Sequence, residues 1–182
     1  MSADDSAHAD AIDAAKLADH VVIGGYGRVG QTIAKLLEAE NIPFVALDTN
    51  GDLVTELRKT GHKVFFGDAS REEFLERAGA ARAQAFVVTV NHARAAERMV
   101  AAARKMRPDA PTLARAINPD HAIRLLKLGA VGVIPEAVEA SLQLAARLLE
   151  ALGLPDDAVE HRIEQTRDQE LGRLRAEVEH RS

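Results

Sequence analysis

The chain has 182 residues, 47% hydrophobic and only 3% aromatic, with a formal net charge of -5. This suits one domain with an appendage, packed by Ala, Val, Leu and Ile. With no Cys, disulfides, thiol catalysis and cysteine-ligated metal are excluded; the acidic balance argues against a general nucleic-acid binder, no run approaches the roughly 18 apolar residues of a membrane span, and nothing near Met1 resembles a signal peptide.

Residues 1–19 are rich in Ala, Asp and Ser and poor in large apolar groups. They read as a mobile arm or linker, with Ile12 and Leu17 on one side of a short helix over 9–17. The chain is organised around residues 20–48, HVVIGGYGRVGQTIAKLLEAENIPFVALD. Val21, Val22 and Ile23 form a β-prone run leading into Gly25, Gly27 and Gly30, a G-x-G-x-x-G. Apolar residues at 29, 33, 36 and 37 then predict a helix with one buried face. Residues 44–47 predict a second strand ending on Asp48, 18 residues beyond Gly30. Strand, glycine turn, helix, strand and acid together are the pattern of a dinucleotide fold. Its glycines serve a tight turn, close approach to phosphate and helix packing, and its acid binds ribose hydroxyls. Free N–H groups at the helix start would hold phosphate. Arg28, inside the turn, reads as a phosphate contact or as a solvent-exposed cation. Tyr26, Val29 and, beside Asp48, Thr49 complete this part of the expected site.

A helix over 49–59 follows, with Leu53, Val54 and Leu57 inward, Thr49 or Asn50 as cap and Gly61 at its end. Residues 63–66 predict a third strand running into Gly67, Asp68 and Ala69. Asp68 stands where open sheets bind ligands; alternatively it caps the helix over 71–78, with Ser70 as the competing cap. Residues 84–90 predict a buried fourth strand with Asn91 and His92 at its tip. Ala96, Met99, Val100 and Ala103 mark the inner side of a helix over 93–105. A fifth strand over 111–116 carries Arg115, which must meet a carboxylate, a ligand or water, since a buried guanidinium is costly. Its partner is a ligand or second subunit on one reading and an internal salt bridge on the other. A helix to Leu128, capped by Asn118 or Asp120, turns Ala122, Ile123 and Leu126 inward. A sixth strand over 131–134 closes on Pro135.

The alternation predicts an α/β fold, a Rossmann-like doubly wound parallel sheet of order 3-2-1-4-5-6. Residues 136–152 have apolar positions on more than one face, which predicts a C-terminal dimerisation helix or else a final helix across the sheet. Residues 154–182 are a charged helical tail with a thin apolar stripe, broken or weakened near Gly172. The domain proper is 20–153.

GGYGRVGQ at 24–31, VALD at 45–48, VFFGDAS at 64–70, LERAGA at 75–80 and LARAINPDHAIRLLKLGA at 113–130 resemble the RCK or KTN (TrkA-N) regulatory domains of potassium channels and transporters. The look is closest to the cytoplasmic domain of Kef-type potassium/proton antiporters. The resemblance implies AMP or NAD(H), with ADP and ATP as further ligands, a homodimer, and a transmembrane antiporter or channel partner at the cytoplasmic side of the inner membrane. It implies Gly25, Gly27 and Gly30 around phosphate, Asp48 on the adenosine ribose, and Asp68 and Ala69 beside the adenine or its ribose. Asn91 joins them at the tip of the fourth strand. In the Kef branch, Arg115 matches a basic residue of a dimer-interface pocket for glutathione.

The rival class is a small NAD-dependent oxidoreductase. It needs a substrate domain and a general acid or base near the hydride, yet only 29 residues follow Gly153, no Tyr-x-x-x-Lys or HExxH occurs, and no catalytic His–Asp arrangement is evident. The sequence therefore predicts a binding and regulatory domain rather than an enzyme; a nucleotide-binding module of another system is the remaining alternative.

Overall fold

The structure, a computed structural model, describes residues 17–180. The expected arm at 1–19 therefore lies almost wholly outside the described residues. Six parallel strands form one sheet: β1 (Val21–Gly24), β2 (Phe44–Asp48), β3 (Val64–Phe66), β4 (Ala85–Val88), β5 (Thr112–Ala116) and β6 (Gly132–Pro135). Their order is β3-β2-β1-β4-β5-β6, as expected. Val21 to Gly24 pair with Phe44 to Leu47 on one side and with Ala85 to Val88 on the other. The chain thus reverses its direction of travel across the sheet between β1 and β4, and this switch point opens a crevice at the carboxyl ends of the strands.

Helices α1 (Arg28–Ala39) and α2 (Gly51–Lys59) cover one face. They pack on Val21, Ile23, Phe44, Ala46 and Val64. Helices α3 (Glu72–Arg77), α4 (Ala93–Met106) and α5 (Pro119–Lys127) cover the other. On α4 the expected residues Ala96, Met99, Val100 and Ala103 are all fully buried. On α1 the inner side differs from the expected stripe. Gly30 and Ala34 are buried and Ile33 and Leu37 half-buried, while Val29 and Leu36 face outward. Small residues bring this helix so close to the sheet that a Cβ on Gly30 would lie 2.2 Å from the Gly25 carbonyl oxygen.

Asn50 caps α2 by accepting from the Leu53 N–H, and Asn118 caps α5 by accepting from the His121 N–H. Neither Asp68 nor Ser70 caps α3. The N-cap position is Arg71, with no side-chain cap bond, and Asp68 instead closes a local turn by accepting from the Ser70 N–H at 2.9 Å.

Helix α6 (Glu136–Ala151) is followed by α7 (Asp156–His180), which folds back along α6 and α5. On α7, Val159 and Leu174 are buried and Ile163, Leu171 and Val178 half-buried, the thin stripe expected. The expected break at Gly172 is absent: the helix is continuous for 25 residues. One helical glycine costs only about 1 kcal/mol, and Leu171, Leu174 and Val178 pack on the core around it. Arg167 adds a two-pronged ion pair to Glu139 of α6, with contacts of 2.9 to 3.2 Å.

Candidate functional site

The glycine turn is built by hydrogen bonds on both sides. The Gly25 N–H donates to Leu47 O at 2.8 Å, and the Thr89 hydroxyl lies 2.8 Å from Gly25 O. Gly25 has a φ of +92°, and a Cβ there would meet the backbone of Thr89 and Val90 at 2.9 to 3.0 Å. Gly25 and Gly30 are therefore demanded by the fold itself. Gly27 is not: its φ is -71°, and an added Cβ would meet nothing within 4 Å. What a glycine preserves at 27 is open space above the turn.

That space belongs to a cavity of about 910 Å³ at the switch point. It lies near the upper end of the roughly 300–1,000 Å³ usual for small-molecule sites. Gly25, Gly27, Arg28, Val29 and Gly30 border it from the turn and α1, and Asp48 and Thr49 from the end of β2. Asp68 and Ala69 border it from the end of β3, and Asn91 from the end of β4. The structure thus brings together sequence-predicted positions spread over four strand ends.

Asp48 is the best-fixed of these. Its Oδ2 accepts from the Tyr26 N–H at 2.6 Å and its Oδ1 from the Asn50 N–H at 2.8 Å. The carboxylate therefore ties the glycine turn to the start of α2. A carboxylate offers about four acceptor positions, so two remain for hydroxyls in the cavity. Burial raises the pKa of Asp68, but hydrogen bonds from Ser70 and the Arg98 and Arg71 charges outweigh it and hold the carboxyl below its ordinary value. Asp68 therefore stays charged at neutral pH.

Tyr26 departs from expectation. Its side chain is fully buried in the layer beneath α1, with its hydroxyl 3.0 Å from His62 Nδ1. Burial and then Glu38 push its pKa up to about 12. Its backbone N–H donates to Asp48, and its carbonyl oxygen accepts from Gln31 Nε2 at 3.0 Å. Tyr26 thus anchors the acid through its backbone, and its side chain does not border the cavity.

Arg115 borders the same cavity. Of its two readings, the structure supplies the internal partner: Nη1 donates to Glu136 Oε2 at 3.0 Å, and Nη2 to Thr89 O at 3.0 Å and to the Asn91 side chain. Its Nε is buried without a partner among the described residues.

Arg94, Arg98 and Glu136 also border the cavity, and sequence reasoning missed them. The two arginines sit one turn apart at the start of α4, on the flank of its buried stripe. Their position just after β4, across the switch point from the glycine turn, is the signal that could have found them. Among the described residues no group of three or more His, Asp or Glu could hold a metal.

The chain is 44% identical over 158 residues to the K(+) efflux antiporter 1, chloroplastic, of Arabidopsis thaliana, covering 87% of this chain and 13% of that protein. It is 35% identical over 153 residues to the glutathione-regulated potassium-efflux system protein KefC of Escherichia coli, covering 84% and 24%. The chain therefore spans a quarter or less of these relatives' length. The Shewanella denitrificans Kef CTD in AMP bound form has the same fold, with a TM-score of 0.75 and 32% identity over 85% of this chain and 94% of that one. The family model of the TrkA-N domain matches residues 21–136, the span from β1 to the start of α6 that builds the cavity, and the chain belongs to that family.

Proposed function

We propose that this chain is the nucleotide-binding regulatory domain of a potassium or cation/proton antiporter, and that AMP or NAD(H) occupies the switch-point cavity. The observation that carries this is Asp48, held by two backbone N–H groups with its remaining acceptors toward the cavity. Such an acid suits the paired hydroxyls of an adenosine ribose and repels a 2′-phosphate. The AMP-bound form of the Kef CTD supports the same ligand class. The relatives' names support a potassium-efflux antiporter context, and this reading places the domain at the cytoplasmic side of the inner membrane. No described helix is long and apolar enough to cross a membrane, so the pore would lie in another segment or subunit. The family match supports a regulatory role rather than catalysis.

Regulation would pass through a homodimer. Leu144, Leu148 and Leu152 lie exposed along and just beyond α6, and Leu113 and Ile134 lie exposed at the β5–β6 end of the sheet face whose β1–β3 part α1 and α2 cover. A second copy would bury these surfaces. A ligand shifts such an assembly only by binding one arrangement better than another. Glutathione at Arg115 is not needed for this reading, since Glu136, Asn91 and Thr89 O already engage that guanidinium.

Calorimetry with AMP, NAD(H) and NADP(H) tests the ligand. AMP and NAD(H) should bind and NADP(H) should bind much more weakly. Asp48→Ala should weaken AMP by about 1.5–3 kcal/mol, the range of a hydrogen bond to a charged group. Equal or tighter NADP(H) binding would reject the role of Asp48.

A further inference from the structure

Four residues form a hydrogen-bonded series from α6 to the glycine turn. Glu136, the first residue of α6, accepts from Arg115 Nη1 at 3.0 Å. Arg115 Nη2 donates to Thr89 O at 3.0 Å. The Thr89 hydroxyl donates to Gly25 O at 2.8 Å, with Gly24 O also within 3.1 Å. Each link lies on a different element: α6, β5, the end of β4, and the turn after β1. The middle of the series is closely held. Thr89 is buried, its N–H donates to Gly24 O at 2.8 Å, and the Arg115 side chain is only 16% exposed. The Gly25 carbonyl in turn sits against α1, since a Cβ on Gly30 would lie 2.2 Å from it. A shift of this carbonyl therefore moves the turn against the N-terminus of α1, where a phosphate would be held.

The Arg115 guanidinium accepts a cost to stand where it does. Its Nε is buried with no partner among the described residues, and a buried donor left this way calls for an explanation. Setting the position of Thr89 from Glu136 supplies one. Building on the nucleotide reading above, we propose that Arg115 and Thr89 are positioning residues that couple the glycine turn to the first turn of α6. Glu136 draws the guanidinium toward α6, the guanidinium holds the Thr89 carbonyl, and the Thr89 hydroxyl fixes the turn in its binding geometry. Such coupling is reciprocal: a nucleotide on the turn steadies the start of α6, the helix that carries the exposed Leu144 and Leu148. Simple electrostatics predicts the opposite for Glu136. It borders the cavity, and removing an acid from the rim should tighten an anionic ligand. The series of bonds requires that the ligand weaken instead.

The test is calorimetric titration of the chain with AMP at one fixed salt concentration, for wild type, Glu136→Gln, Thr89→Val and the double variant. Hydrogen exchange is followed at the amides of residues 140–142, which bond to the carbonyls of the first turn of α6. Glu136 is exposed, so Glu136→Gln should fold, and Thr89→Ser keeps the hydroxyl as a control for disturbance of a buried position. Glu136→Gln should weaken AMP about threefold and Thr89→Val about tenfold, within the range of one hydrogen bond. Thr89→Ser should stay close to wild type. The double variant should be no weaker than Thr89→Val alone, because links in series do not add. AMP should raise protection at 140–142 in wild type and leave it unchanged in Thr89→Val. AMP affinity that is unchanged or tighter in Glu136→Gln, or losses that add in the double variant, would overturn the coupling and leave the nucleotide site intact. No AMP binding by wild type would reject the nucleotide reading itself, and this one with it.

Discussion

Arg115 and Glu136 hold each other at 3.0 Å, joining β5, next to the sheet edge, to the first residue of α6. The arginine side chain is only 16% exposed and its partner is 58% exposed. The same arginine reaches Thr89 O and Asn91 at the end of β4. One side chain therefore spans the carboxyl ends of β4, β5 and β6. Glu136→Ala should lower stability by about 1 kcal/mol, near the top of the range for exposed pairs, because Arg115 keeps its contacts to β4. The melting temperature should then fall by about 2–4 °C for a domain of this size. Arg115→Ala should cost more, since it also removes the packing of a long buried stem. Melts of both variants with and without glutathione decide between the two readings of Arg115. The internal-pair reading expects no glutathione-dependent shift in any of the three proteins. A shift in wild type that Arg115→Ala abolishes would favour the ligand reading.

The three glycines of the turn should separate by substitution. Gly27→Ala meets no atom within 4 Å and keeps an ordinary φ. It should leave the unliganded stability unchanged or raise it by as much as about 1 kcal/mol, through reduced unfolded-state entropy. It should weaken AMP at least tenfold, because the methyl projects into the space above the turn. Gly25→Ala and Gly30→Ala should instead destabilise the unliganded chain, the first by positive φ and the second by collision with the Gly25 carbonyl oxygen. Melting and calorimetry on the three variants check this. Gly27→Ala with wild-type affinity would remove the phosphate from the position assumed here.

Leu144, Leu148 and Leu152 are 73%, 59% and 68% exposed. Changing Leu148 and Leu152 to Glu removes little packing within one chain, so helix content should hold while the assembly changes. Light scattering at tens of micromolar should find a wild-type dimer and a monomeric double variant. A monomeric wild type removes the dimer.

The fold was legible because its signals are local. Short buried strands alternate with glycine-ended helices, and the apolar spacing of α4 marked every fully buried large residue on its inner face. The α1 stripe misled because the sequence pattern weighs Val29 and Leu36, whereas the contact is made by Gly30 and Ala34. Smallness at a close approach leaves no hydropathic trace. The acid and glycine positions of the site were legible from spacing. The burial of the Tyr26 side chain away from the cavity was not legible, because neighbouring residues in a tight turn point to opposite sides of it. Arg94, Arg98 and Glu136 were missed because they enter the cavity from elements far apart in sequence, and only the switch-point topology joins them.

Two buried histidines set a pH limit on stability. His20 is fully buried, with Nε2 2.8 Å from Ala78 O and Nδ1 unpartnered among the described residues. Burial lowers its pKa, with Arg82 adding to the effect and the Ala78 bond and Asp19 opposing it. His121 is also fully buried; its Nδ1 accepts from the Ile117 N–H at 3.2 Å, and its Nε2 lies 4.0 Å from Glu97. Burial again lowers the pKa, helped by Arg124 and opposed by Glu97 and the Ala93 backbone. In the unfolded chain both imidazoles take up protons near pH 6.5. In the folded chain they resist until lower pH. The unfolded state therefore binds more protons between the folded values and 6.5, and stability falls as pH drops through that window. Above about pH 6.5 their contribution is fully present. Within that window the slope should approach at most about 2.7 kcal/mol per pH unit, the limit for two groups, and about half of that at pH 6.5 itself. Urea unfolding midpoints between about pH 7.5 and 5.5 measure it. His20→Gln and His121→Gln should each reduce the slope by up to half, whatever they do to absolute stability. A wild-type profile flat across this range would show that neither ring is held neutral by the fold.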